Sequence, residues 1–171
     1  MSRRVNPLAA AIFAALAAKD YESIVDAINR VGPHRHAGVI RYLLKVLRRT
    51  NDPALRNCLA LVLGDMRTPE AFGVIAKLLG DNKTQSHRGT LLYALRGYDC
   101  SSLLPMLVDF VITGVLEVRN EAFELIISID GVVDETHFTS CHRRLQEAAA
   151  SADGDRRAML ESLAELFAMQ T

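Results

Sequence analysis

The sequence predicts an all-α protein in which about nine or ten antiparallel helices stack side by side as an α-α superhelix. The chain has 171 residues and is 50% hydrophobic, but it contains only ten glycines and five prolines. A composition rich in Ala and Leu and poor in turn-forming residues is typical of helices. No segment alternates apolar and polar residues with a period of two, so no strand is predicted. Helix pairs of similar sequence recur along the chain, which favours stacked repeats.

Most predicted helices begin at a capping residue, and many end near a glycine. At Asp52-Pro53 and Thr68-Pro69, a side-chain cap precedes a proline in the first turn. The other predicted caps are Asn6, Asp20, Ser101 or Ser102, Asp134 and Asp153. The predicted helices cover residues 7–18, 20–31, 35–49, 52–64, 68–80, 85–97, 101–114, 117–129, 134–150 and 153–169. Short connections between them favour antiparallel neighbours.

These helices predict one domain over residues 1–171. A single helix pair cannot bury its apolar stripe alone, whereas stacked pairs share a continuous core. The predicted parts are a cap helix at 7–18, repeats at about 20–49, 52–80, 85–114 and 117–150, and a closing helix at 153–169.

The first 18 residues fit two interpretations. Two arginines precede the apolar run 8–18, as in a secretory signal. However, Asn6 and Pro7 form a good helix start, and apolar residues then recur at helical spacing. We favour a cap helix, because short Ala-rich helices commonly cover the ends of stacked repeats. The run is too short to cross a bilayer, so no membrane association is predicted.

Three arginines mark the repeat. Arg56, Arg88 and Arg119 lie 32 and 31 residues apart, at a similar phase of three helices. We expect buried arginine stems whose guanidinium groups pair with acids such as Asp52 or Glu121. The predicted core between repeats contains Leu59, Leu63, Ile75, Leu79, Leu91, Leu95, Leu107 and Val111.

Residues 51–81 contain the most regular repeat. Its motifs are Asp52-Pro-Ala-Leu-Arg56, Leu63-Gly64-Asp65, Thr68-Pro69-Glu70-Ala71 and Leu78-Leu79-Gly80-Asp81. This pattern resembles a HEAT repeat of the bacterial, phycobilisome-lyase-like type, with a weaker match over 37–50 and 86–128. The resemblance implies a HEAT-like solenoid. Several functions have been built on such folds, so the resemblance alone does not select one.

Charge is distributed unevenly, although 20 basic and 20 acidic residues cancel overall. Residues 1–50 contain nine Lys and Arg against three Asp and Glu, a net charge of +6, and the remainder carries −6. In solenoids of this kind, the second helix of each pair lines a concave binding face. The predicted partner-binding residues on that face are Arg41, Tyr42, Lys45, Arg48 and Lys77.

This basic face predicts an adaptor or inhibitor, such as an immunity or assembly protein, that captures an acidic protein partner. A solvated helix face is the plainer interpretation of the same charges. Nucleic-acid binding is the alternative, since HEAT-like DNA glycosylases share this architecture. Zero net charge, the absence of Trp and only four Tyr argue against it. Attachment of a bilin, as in the lyases, has no support beyond the repeat type.

We predict no catalytic residue, no cofactor and no metal, and therefore a protein that is not an enzyme. His34 and His36 lack a third ligand nearby in the sequence, and His137 and His142 are five residues apart. The three cysteines form no CxxC pair, so we expect buried thiols and a cytoplasmic location.

Overall fold

The computed structural model describes residues 7–30 and 33–169, with side chains for residues 10–30 and 37–169. Over these residues the chain is helical and contains no strand, so the predicted all-α class is confirmed. The ten α-helices described are α1 (Pro7–Ala18), α2 (Tyr21–Asn29), α3 (Pro33–Arg49), α4 (Pro53–Asp65), α5 (Pro69–Leu79), α6 (Arg88–Tyr93), α7 (Leu104–Thr113), α8 (Leu116–Ile127), α9 (Glu135–Ser151) and α10 (Gly154–Ala168).

The chain divides into two compact units, Met1–Arg96 and Gly97–Thr171, called here the N-terminal and C-terminal units. In the N-terminal unit, α1 packs on α2, α2 on α4, and α4 on α6, while α3 and α5 pack on each other and on α4. In the C-terminal unit, α7 packs on α8 and α9, and α9 packs on α10. A single superhelix over residues 1–171 stays a prediction.

Four predicted helix caps are confirmed. The side chains of Asp20, Asp52, Thr68 and Asp134 accept hydrogen bonds from backbone N–H groups in the first turns of α2, α4, α5 and α9. Asp153 occupies the N-cap position of α10, but its side chain makes no capping hydrogen bond, so that prediction is wrong. The predicted cap at Asn6 and the predicted helix end at Gly32 lie outside the described residues.

The helix predicted over residues 85–97 has the wrong bounds, because α6 is short and follows a 3-10 segment, Asn82–His87. The buried Thr84 hydroxyl donates a hydrogen bond to the carbonyl of Asp81 (2.8 Å), and the Asp81 carboxylate accepts one from the Lys83 N–H (3.0 Å). Such local side-chain bonds compete with α-helical ones and hold this turn in the tighter form.

The predicted cap at Ser101 or Ser102 is also wrong. The carboxylate of Asp99 takes this role and accepts hydrogen bonds from both the N–H and the hydroxyl of Ser101, each at 2.9 Å. A carboxylate is the stronger acceptor, so the serine acts as a donor here. A 3-10 turn, Ser101–Leu103, then leads into α7 without a side-chain cap.

The predicted core is confirmed residue by residue. All eight side chains have 0% relative exposure: Leu59, Leu63, Ile75, Leu79, Leu91, Leu95, Leu107 and Val111. Arg56 is buried too, but its expected pairing with Asp52 is wrong, because Asp52 pairs with Lys19 and caps α4. The Nε and Nη2 atoms of Arg56 have no hydrogen-bond partner among the described residues.

Candidate protein-binding face

The α3 helix separates apolar and charged residues onto two sides. Val39, Leu43 and Leu47 are buried, as expected for the stripe that packs on neighbouring helices. The predicted partner-binding residues Arg41, Tyr42, Lys45 and Arg48 are exposed on α3, and Lys77 is exposed on α5. These five residues form what we call the basic face.

The contact between α3 and α5 brings two predicted cations to one place. Arg48 and Lys77 line a pocket of about 290 Å³ together with Val74, Leu78 and Asp81. Nearby, the Lys83 ammonium donates a hydrogen bond to the carbonyl oxygen of Arg48 (3.1 Å) and lies 3.7 Å from the Asp81 carboxylate. The pocket thus has two cations and one carboxylate in its lining, with the Lys83 ammonium beside that carboxylate, so it keeps a positive charge.

A second shallow pocket, of about 400 Å³, runs along α3 itself. Tyr42 and Lys45 line it with Val46, Arg49 and Thr50. The Tyr42 ring packs edge-on against Phe13 of α1, with ring centroids 6.0 Å apart and planes at 86°. Phe13 is 55% exposed and Tyr42 is 38% exposed, so an aromatic pair lies open to solvent beside the cations.

Sequence reasoning missed two residues that lie beside the basic face, Arg49 and Phe13. Arg49 lies four residues after Lys45, and that spacing places both on one side of a helix. Phe13 interrupts the small-residue pattern of α1 as its only aromatic residue, which is a usable signal for an exposed contact. Arg41, although exposed, lines neither of the two pockets.

The cations of the basic face, and Arg49 beside it, form no ion pair with any described residue. This holds for Arg41, Lys45, Arg48, Arg49 and Lys77. Lys19 differs, because it pairs with Asp52. Like charges at i,i+4, as at Arg41 with Lys45 and Lys45 with Arg49, destabilise a helix by a few tenths of a kcal/mol, about 0.2–0.5 per pair. An acidic partner would relieve that repulsion.

The three cysteine side chains pack in the protein interior. All three are buried and free, as predicted. Burial raises the pKa of each thiol, and the pKa of Cys100 rises to about 11, with the Asp99 charge as a second cause. A thiol with a raised pKa is a poor nucleophile at neutral pH.

Metal-ligating side chains do not gather anywhere in the described residues: no group of three or more His, Cys, Asp or Glu could hold an ion. The side chains of His34 and His36 lie outside those residues. Within the same part of the chain, no helix combines the length and apolarity needed to cross a membrane.

Comparison with known proteins adds no identity. Neither a family model, nor a curated protein sequence, nor a solved structure gives a significant match to this chain. The inference of function therefore depends on the geometry of the basic face.

Proposed function

We propose that this chain is a non-catalytic adaptor or inhibitor of the HEAT-repeat type, which captures an acidic protein partner on the basic face. The observation that carries the proposal is the set of exposed cations on α3 and α5 that form no ion pair with any described residue. Unpaired exposed charge of one sign attracts a surface of the opposite sign and steers its approach.

The packing order of the N-terminal unit supports the repeat-type scaffold in this proposal. The first helices of successive pairs, α2, α4 and α6, follow one another, and the second helices, α3 and α5, lie together. Nearest-neighbour packing of this kind is typical of helical repeats, which present a pre-formed row of second helices to a partner. A rigid face loses little conformational entropy on binding, which favours tight capture.

The exposed aromatic pair supplies an apolar anchor beside the cations. Interfaces concentrate binding energy in aromatic and Arg side chains that a partner covers completely. Phe13 and Tyr42 are suited to that role, with Lys45 and Arg49 beside Tyr42 on α3. We therefore expect the partner to present a large apolar side chain surrounded by Asp and Glu.

Site-specific photo-crosslinking tests this assignment. A benzophenone amino acid replaces Tyr42, on the basic face, or Tyr93, an exposed tyrosine of the same unit that is not part of that face. In the source cell, position 42 should crosslink to one acidic protein and position 93 should not. Equal crosslinking from both positions, or crosslinking from position 93 alone, would remove the basic face as the site.

Single-stranded nucleic acid is the second candidate, favoured by the same aromatic pair. Proteins that bind single-stranded nucleic acid combine cations that contact the phosphate backbone with aromatic rings on which the bases stack. A gel-shift series with random single-stranded DNA at increasing salt separates the two candidates. Strong, salt-sensitive binding that a Tyr42→Ala, Phe13→Ala variant loses would favour nucleic acid over the protein partner.

A further inference from the structure

A cavity of about 540 Å³ lies in the C-terminal unit, apart from the residues of the basic face. Its walls come from the start of α7, the last turns of α8 and α10, the first turns of α9, and the loop between α8 and α9. The side chains facing it include Leu104, Ile126, Phe138 and Phe167, and the last two rings stack with centroids 4.6 Å apart. The volume is in the usual range for a small-molecule site, roughly 300–1,000 Å³.

The charges around this cavity have one sign. Asp130 and Glu135 line it and are exposed, and none of its lining residues is Lys, Arg or His. The carboxylate of Asp99 lies against Gly131, so closely that a Cβ there would be 2.2 Å from Oδ2. Two carboxylates thus line a half-open pocket whose other side chains are mostly apolar, and the Asp99 carboxylate lies against its Gly131 wall.

Helix ends contribute partial charges of both signs to the walls. The last turns of α8 and α10 carry partial negative charge, and the first turns of α7 and α9 carry partial positive charge. The opposing N-terminus of α9 is capped by Asp134, whose side chain accepts a hydrogen bond from the His137 N–H (3.1 Å). Arg143 of α9 lines an adjoining pocket together with Glu135, and its guanidinium lies 3.7 Å from the Glu147 carboxylate.

We propose that this cavity binds a small organic cation, an amine whose aromatic or aliphatic body packs on the apolar side chains of the wall while its ammonium group meets Asp130 and Glu135. An apolar neutral molecule would leave the carboxylates without a counter-charge, and an organic acid would be repelled by them. The site is independent of the basic face, since all of its lining residues belong to the C-terminal unit.

Three compounds with the same indole body test the charge requirement on the full chain: tryptamine, 3-ethylindole and indole-3-propionate. The protein contains no Trp, so indole fluorescence anisotropy reports the bound probe directly. Tryptamine should bind with a Kd below about 1 mM, 3-ethylindole about tenfold more weakly, and indole-3-propionate not measurably. Equal binding of all three, preference for the neutral or acidic probe, or no tryptamine binding up to about 1 mM would overturn the proposal.

A matched pair of variants locates the site. Asp130→Asn with Glu135→Gln should weaken tryptamine about tenfold and leave 3-ethylindole unchanged, because only the ammonium contact is lost. The control, Asp155→Asn with Glu161→Gln, removes two exposed carboxylates of α10 that do not line the cavity. Circular dichroism first verifies that both variants are folded. If the control weakens tryptamine as much as the site variant, general attraction to an acidic unit explains the binding and the proposed site is wrong.

Discussion

The two compact units of this neutral chain carry opposite charge. The N-terminal unit has fifteen Lys and Arg against seven Asp and Glu, a net charge of +8, and the C-terminal unit has five against thirteen, a net charge of −8. The first unit spreads unpaired cations over open helix surface on α3 and α5. The second places two carboxylates on the wall of a pocket that is otherwise lined mostly by apolar side chains.

This difference shows that the net charge of the whole chain is a poor guide to its partners when positive and negative residues lie in different units. A net charge of zero argues against binding to polyanions only when the charges are mixed over the surface. Here each unit has its own net charge and electrostatic field, so the partners of each unit must be considered separately. The open basic face suits a large acidic surface, whereas the acidic cavity suits a small cation.

Two core substitutions, one in each unit, test whether the two units unfold together in one cooperative transition. Leu63→Ala in the N-terminal unit and Leu107→Ala in the C-terminal unit each remove a fully buried side chain. Each should lower the free energy of unfolding by about 2–5 kcal/mol. If the chain is one domain, as the sequence predicts, both variants shift the same single transition in urea. Two transitions, each moved by one variant only, would contradict the single-domain prediction.

In the N-terminal unit, the backbone at Gly64 lies so close to the backbone at Ala94 that no larger residue fits at position 64 without a shift. A Cβ at Gly64 would lie 2.3 Å from the carbonyl oxygen of Ala94, so the backbone must move. Gly64→Ala should therefore cost about 1–3 kcal/mol of unfolding free energy. Gly73→Ala is the matched control, since nothing lies within 4 Å of its Cβ position and Ala favours a helix by about 0.5–1 kcal/mol. Calorimetry should give melting temperatures that move in opposite directions, and a shared direction would contradict the α4–α6 packing.

The smallest effect concerns pH and the C-terminal unit. The pKa of Cys100 rises from 9.0 to about 11 on folding, so the unfolded chain loses this proton first. Stability is then fully present below about pH 9 and falls between pH 9 and 11. Relative to wild type, Cys100→Ala should lose less stability over that window, with a difference on the order of 1 kcal/mol. Urea midpoints at several pH values measure it, and parallel curves would mean that the thiol does not titrate as described.

Much of the fold was predictable from the sequence because the signals are local. At Asp52-Pro53 and Thr68-Pro69, one side chain and one ring fix where a helix begins. The spacing of apolar residues predicted eight core positions, and all eight side chains are buried. Around Thr84 and Asp99 prediction failed, because two kinds of hydrogen bond compete there and only the folded geometry decides between them.

The candidate sites were predictable only in part. The helical spacing of Arg41, Lys45 and Arg48 indicated one exposed side of α3, and their exposure agrees with it. The aromatic neighbour Phe13 comes from a different helix, α1, so its pairing with Tyr42 depends on tertiary packing. The acidic cavity joins residues from four helices and a loop, and no sequence spacing relates them.

Charge reversal tests the central proposal, capture of an acidic partner by the basic face, most directly. The variant is Arg41→Glu, Lys45→Glu, Arg48→Glu, and the control is Arg30→Glu, Arg67→Glu, Arg143→Glu, which changes three exposed cations on other elements by the same total charge. Both are first checked for intact helicity. Affinity for the crosslinked partner is then measured at low and at physiological salt.

The face variant should bind about 100-fold more weakly, because each reversal replaces an attraction by a repulsion and so costs about 1 kcal/mol of binding free energy. The control should remain within about threefold of wild type, and added salt should slow association of the wild-type chain most. A folded face variant that binds the partner as tightly as the wild-type chain would contradict the proposed binding face.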